Sequence, residues 1–260
     1  MSTQSTQGTG NKGTVVTNSQ SGTNVTEIEA GVYRISTPVP IDTIPGGFTF
    51  NQFLIVDDEP LLFHTGLRQM FPLVLEAVTH VLGDVKRLRH VGFSHYESDE
   101  CGSLNDWLRV APQAMPVCSA IGAMVSVNDA AERPARGLMD GEELVIGTKR
   151  MRWLDAPNVP HNWECGYMFE TTTRTLLCGD LFTHAGAQLP AVTETEVFSA
   201  SEVMRKTGMS GMANDAAARN ILQKIARTEP TTLALMHGSS YRGNGSALLL
   251  ALADTMPAIG

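Results

Sequence analysis

Several shortages in this 260-residue chain each close off a class of function. There are only four cysteines, Cys101, Cys118, Cys165 and Cys178. No two of them form a C-x-x-C pair, so neither a zinc ribbon nor a dithiol redox motif is available, and reduced thiols are favoured over a disulfide framework. Positive charge is scarce: 19 Lys and Arg against 27 Asp and Glu give a formal net charge of −8. That balance argues against a nucleic-acid partner, which needs a basic face to meet phosphates. No apolar run approaches the ~18 residues needed to span a bilayer, and the N-terminus lacks the apolar stretch of a secretory signal. The expectation is a cytoplasmic protein with no membrane partner. No P-loop is present to cradle a nucleotide.

Residues 1–26 are short of anything to bury. Ser, Thr, Gly, Gln and Asn dominate, with Val15, Val16 and Val25 as apolar exceptions. Such composition does not offset the entropy of ordering, so a disordered polar tail is expected there. From residue 27 to 260 the pattern is that of one globular domain with no dividing linker. Strands are expected at 32–36, 48–56, 61–64, 88–93 and 116–118. A turn-rich loop marked by Pro38, Pro40, Pro45, Gly46 and Gly47 separates the first two. Helical spacing covers 67–81, closed by Gly83, and recurs at 101–108 and 120–125. The second half offers hairpins at 143–146 with 150–154 and at 166–170 with 175–178. A mainly helical stretch at 203–228, a strand at 232–236 and a closing helix at 247–255 follow. Strand pairs followed by helices, twice over, predict an α/β fold of the αββα kind, two facing mixed sheets with helices outside.

Six side chains stand where such strands end. Residues 93–102 read F-S-H-Y-E-S-D-E-C-G, which puts His95, Glu97 and Asp99 at alternate positions. On an extended segment alternate side chains share one side. His161 follows in V-P-H-N-W-E, Asp180 in C-G-D-L-F and His237 in L-M-H-G. Each has an ordinary explanation alone: a core or surface histidine, a solvated acidic loop, a turn aspartate after glycine. Together, in this order and at strand exits, three imidazoles and three carboxylates form a candidate binuclear metal centre. Glu97 contributes a hard anionic oxygen, which suits iron or manganese better than zinc.

This order resembles the metallo-β-lactamase superfamily, and within it the flavodiiron proteins and their stand-alone oxygen-binding diiron relatives. The resemblance runs from about residue 32 to 243. Zinc hydrolases of the superfamily carry H-x-H-x-D-H, whereas the diiron branch carries H-x-E-x-D-H-x-G, as at His95, Glu97, Asp99 and Gly102. His161 matches the third-motif histidine and Asp180 the bridging aspartate. His237-Gly238 with Tyr241-Arg242 matches the closing H-G-x-x-W-R. The resemblance implies two iron ions, with zinc or manganese as alternatives. One would be held by His95, Glu97 and His161, the other by Asp99 and His237, with Asp180 between them.

Two positions depart from the pattern. Glu100 stands where the family has a histidine ligand: it is a candidate to replace that ligand, to point into solvent or to leave the second metal weakly held, and His184 is either a compensating ligand or an incidental loop histidine. His64-Thr65-Gly66 replaces the superfamily's D-T-G and removes a carboxylate that would orient the ligands. No flavodoxin-like domain follows within the 260 residues, which implies an external electron-transfer partner. The implied activity is binding or reduction of dioxygen or nitric oxide, or use of dioxygen to oxidise a small substrate. No catalytic group beyond the ligands is expected. A binuclear hydrolase of esters, lactones or phosphates is the alternative, and an oxygen or nitric oxide sensor the third. Superfamily relatives often pair, so a homodimer is among the expected assemblies, with Trp107, Trp153 and Trp163 as core or interface residues.

Overall fold

Alternating apolar residues build two β-sheets, seen in a computed structural model that describes residues 13–207 and 211–258. The first sheet has eight strands in sequential order: β1 Val15–Asn18, β2 Thr23–Glu29, β3 Val32–Ile41, β4 Ile44–Ile55, β5 Leu61–Phe63, β6 His90–Gly92, β7 Met115–Ser119 and β8 Arg136–Leu138. The second comprises β9 Glu143–Val145, β10 Arg150–Asp155, β11 Gly166–Glu170, β12 Thr175–Leu177, β13 Val192–Thr193, β14 Thr232–Ala234 and β15 Ser240–Arg242. Its order is β13-β15-β14-β12-β11-β10-β9. Strands β1 to β5 meander antiparallel, and β5 to β8 run parallel.

Side chains that alternate along a strand feed different cores. Phe53, Ile55, Leu61 and Phe63 of the first sheet meet Met151, Trp153, Met168 and Leu177 of the second. Ile35, Leu54 and Leu62 point the other way, onto helices Phe71–Leu82 and Leu104–Val110. On the far side, Tyr167, Phe169 and Leu176 cover helices Ala216–Ala226 and Gly245–Asp254. The four layers are the predicted αββα sandwich. Trp107 and Trp153 are fully buried core residues, while Trp163 is 56% exposed. All four cysteines are buried and free. No helix among the described residues is long and apolar enough to cross a membrane.

Three differences from the sequence expectation have physical causes. Strands β1 and β2 fall largely within the segment assigned to a polar tail; residues 1–12 lie outside the described residues. Thr and Val suit a pleated surface. Here Val25 is buried and the Thr23 hydroxyl bonds that of Thr37 at 3.0 Å, so pairing with β3 supplies what average composition hides. The proline-rich loop is instead one long hairpin, paired out to Ile41 and Ile44. Strand β2 stops pairing with β3 at Ser36, so Pro38 and Pro40 occupy an edge where no ladder donor is lost. Strands β8, β13 and β15 are too short for periodicity to reveal.

If β2 belongs to the folded domain, Val25→Ala should cost about 1.5 kcal/mol, the transfer energy of two buried carbons. A shift of the urea midpoint to lower concentration is the expected result, and an unchanged midpoint would return residue 25 to the tail.

Candidate metal centre

The six predicted side chains, and Glu100 with them, come together at one edge of the sandwich. Strand β6 leads through Phe93 and Ser94 to His95, and β10 exits toward His161. Strand β12 passes through Cys178 and Gly179 to Asp180, and β14 runs through Leu235 and Met236 to His237. The first motif does not converge through extended alternation as its sequence suggests. The backbone is extended at Glu97 (φ −139°, ψ 162°) but turns helical over Ser98–Cys101. It is this turn that lets the consecutive Asp99 and Glu100 both approach Glu97, with one oxygen of each carboxylate within 4.8 Å of the others.

Two groups of atoms result. His95 Nε2 and His161 Nε2 lie 3.0 Å apart, and Glu97 Oε2 stands 3.1 Å from the first and 3.0 Å from the second. His237 Nε2 lies 3.3 Å from Asp99 Oδ2. Asp180 faces both groups: Oδ1 is 3.3 Å from His237 Nε2, while Oδ2 is 3.5 Å from His161 Nε2 and 3.8 Å from His95 Nε2. Glu100 Oε1 is 3.7 Å from His95 Nε2.

The imidazoles are held from behind. His237 Nδ1–H donates to the Thr49 carbonyl at 2.8 Å, and His161 Nδ1–H to the Gly211 carbonyl at 3.2 Å. A carbonyl only accepts, so each Nε2 keeps its lone pair for a cation. The His237 ring stacks on Phe48 with centroids 4.3 Å apart and meets Phe50 edge-on. His95 Nδ1 bonds Ser94 Oγ at 3.0 Å, and the same hydroxyl bonds His64 Nε2 at 3.1 Å. The serine thus takes over the orienting task, with His64 behind it in a left-handed backbone conformation (φ 67°). Burial pushes the His64 pKa down to about 3, so the ring is neutral. His184 is not a spare ligand. Its Nδ1 bonds the Phe182 carbonyl and its Nε2 accepts from Ser239 N–H, both at 2.9 Å. Packed there, it leaves no room for a Cβ at position 238, where φ is +94°, so only glycine follows His237. Ser94, Thr49, Phe48 and Phe50 carry no local sequence signal, since their partners are brought in from elsewhere in the chain.

The electrostatics fit a cation. Glu100 is fully buried and its carboxylate oxygens meet no N–H or hydroxyl donor; Asp180 Oδ1 is buried with His237 Nε2 3.3 Å away. Burial first, then Asp180 and Asp99, push the Glu100 carboxyl well above its usual range. Hydrogen bonds to His161 and His95 hold Glu97 well below it. Bonding to Glu97 raises His161 to about 9. For His237 burial alone would lower the pKa, but Asp180 and Asp99 outweigh it and bring it to about 9. Burial opposes ionisation of Asp180 as well, yet His237 and the other imidazoles bring it to about 2. Buried carboxylate oxygens facing imidazole nitrogens suit a cation, which would displace the protons those nitrogens carry. Donor atoms roughly 3 Å apart also suit an ion bonded at ~2.1 Å to each.

Two outcomes follow for the metal-free and metal-loaded protein. Protonated His161 and His237 stabilise the metal-free fold below their usual 6.5, and that contribution is lost as pH rises through about 9. The raised Glu100 carboxyl acts in the same direction. Melting temperature in chelator should therefore fall from pH 6.5 to 9 while metal affinity rises, because the cation displaces protons. A flat chelator profile would contradict this. Ser94→Ala should weaken metal binding by roughly 10–100-fold, read by competition with a chromogenic chelator.

The profile of the ODP family beta lactamases matches residues 48–238. No curated protein matches the chain in sequence. Among solved structures, the flavodiiron protein of Giardia intestinalis is similar at TM-score 0.76 and 18% identity, over 88% of this chain and 58% of that one. The rubredoxin oxygen:oxidoreductase of Desulfovibrio gigas matches at TM-score 0.69 and 18% identity, over 88% of this chain and 61% of that one. A fragment of a diflavin flavoprotein from Nostoc sp. matches at TM-score 0.76 and 19% identity, over 90% of this chain and 94% of the fragment. The chain thus spans about three fifths of the length of the first two.

Proposed function

The chain belongs to the ODP family beta lactamases, within the metallo-β-lactamase superfamily, and on that premise we propose a non-haem diiron protein that binds or reduces dioxygen or nitric oxide. The observation that carries this is Glu97. Its carboxylate oxygen forms a near-equilateral triangle with His95 Nε2 and His161 Nε2, 3.1 and 3.0 Å away from nitrogens that are 3.0 Å apart. The zinc-type motif places an imidazole here, and a hard anionic oxygen favours iron. His95, Glu97 and His161 would hold one ion, Asp99, His237 and Glu100 the other, with Asp180 shared. Four carboxylates would balance two divalent ions, which explains how Glu100 can stay buried without a hydrogen-bond partner. Bound iron would supply redox chemistry. The protein's own contribution is to hold the imidazole lone pairs inward, to keep His95 and Glu100 dry, and to leave His161 and Glu97 at the mouth, 32% and 50% exposed at their side chains. A small oxidant reaches that side without any channel. Reducing equivalents would come from an external electron-transfer protein; the Desulfovibrio gigas neighbour is a rubredoxin oxygen:oxidoreductase.

The hydrolase reading is the outcome to exclude. Iron-loaded protein, reduced chemically under anaerobic conditions, should consume dioxygen or nitric oxide on mixing and show no turnover of esters, lactones or phosphate esters. Anaerobic ester or lactone turnover by the zinc form, with no gas consumption by the iron form, would reverse the assignment. Glu97→His should move metal preference from iron toward zinc, and Glu97→Ala should lower iron content without unfolding the domain. Full iron occupancy in Glu97→Ala would remove Glu97 from the ligand set.

A further inference from the structure

We propose a second ligand site, independent of the metals, in which Arg34 binds the carboxylate of a small organic monoanion between the first sheet and the segment 187–191. Arg34 lies on β3, 2% exposed, on the face turned to the second sheet. Its Nη2 donates to the Gly238 carbonyl at 2.9 Å, and its Nε is buried with no partner. Among the described residues no acid offsets its charge: burial drags the guanidinium pKa down to about 10, with no carboxylate raising it. The residues outside that description, 1–12, 208–210 and 259–260, contain no Asp or Glu side chain. A buried cation without a counter-charge is costly, and natural structures pair such groups.

A counter-charge has room to enter. Arg34 helps line a cavity of about 440 Å³ that also takes in Asn24, Ser36 and Thr49 on the first sheet. Val16 of the same sheet, and Leu189 and Pro190 from the facing segment, supply apolar wall. The planar guanidinium fork matches a carboxylate. One buried positive charge neutralises a monoanion, whereas a dianion would leave a net negative charge beside it. The apolar wall suits a short hydrocarbon body. The occupant these features select is therefore a short-chain monocarboxylate rather than phosphate.

The test is titration calorimetry of the full chain with butyrate and with inorganic phosphate, at ionic strength matched by chloride. Both iron-loaded and chelator-treated protein are titrated, because a carboxylate can also bind a metal. The expected result is one saturable butyrate site per chain in both forms, with phosphate weaker by roughly tenfold or more. Arg34→Met should weaken butyrate by roughly tenfold or more, the loss of a charge-assisted pair. If that variant does not fold, Val16→Trp, which crowds the cavity from an exposed strand, should weaken it instead. Absence of saturable butyrate binding overturns the proposal. So does binding that disappears with the metals, survives in the variant, or is matched by phosphate.

Discussion

The carboxylate of Asp180 joins the two halves of the site, because its two oxygens point to different nitrogen groups. Oδ1 faces His237, and Oδ2 faces His161 and His95. This orientation depends on Gly179, whose left-handed backbone (φ +51°) and missing side chain let Ser94 approach: a Cβ there would sit 2.8 Å from the Ser94 hydroxyl. The same hydroxyl bonds His95. Ser94 also accepts a backbone bond through its carbonyl from Gly166 N–H at 2.9 Å, tying β6 of one sheet to β11 of the other. A mostly buried carboxylate among other carboxylates is stable only if positive charge is near. Without metal that charge is the protonated His161 and His237; a bound cation would take over the role. Protonated imidazoles thus offset part of the carboxylate charge when no metal is bound, and a cation entering the site would displace those protons.

Asn51 does for His237 what Ser94 does for His95. Its backbone N–H donates to the Met236 carbonyl and its side-chain amide to the Leu235 and Gly238 carbonyls, each at 2.9 Å. The loop carrying His237 is therefore fastened to the first sheet by polar groups inside the sandwich. Buried polar groups arranged this way specify one geometry because any displacement leaves several unpaired. Arg34 closes the same loop from its other side through Gly238.

Much of this was legible in the residues. The apolar alternation along 48–56 and 150–154 announces strands that feed cores on both sides, and six imidazole and carboxylate side chains in order at strand exits announce the candidate site. What stayed hidden depends on chain segments far apart. Polar β2 becomes a strand because β3 lies beside it, which no local composition reveals. The prolines at 38 and 40 punctuate a loop in sequence, yet sit harmlessly on an edge once β2 has ended. Convergence of the first motif was expected from extended alternation but arises from a helical turn at Ser98–Cys101, which alone admits Glu100. His184, in sequence either a compensating ligand or an incidental loop histidine, has both nitrogens committed elsewhere. Ser94, next to a ligand, gives no signal until His64 is brought behind it from 30 residues away.

The binuclear character of the site is tested most directly by anomalous diffraction at the iron and zinc absorption edges, from crystals grown after expression with both metals supplied. The account predicts two iron peaks, one on each side of the Asp180 carboxylate, the first among His95, Glu97 and His161 and the second between Asp99 and His237. A single peak, or two that respond only at the zinc edge, would contradict it.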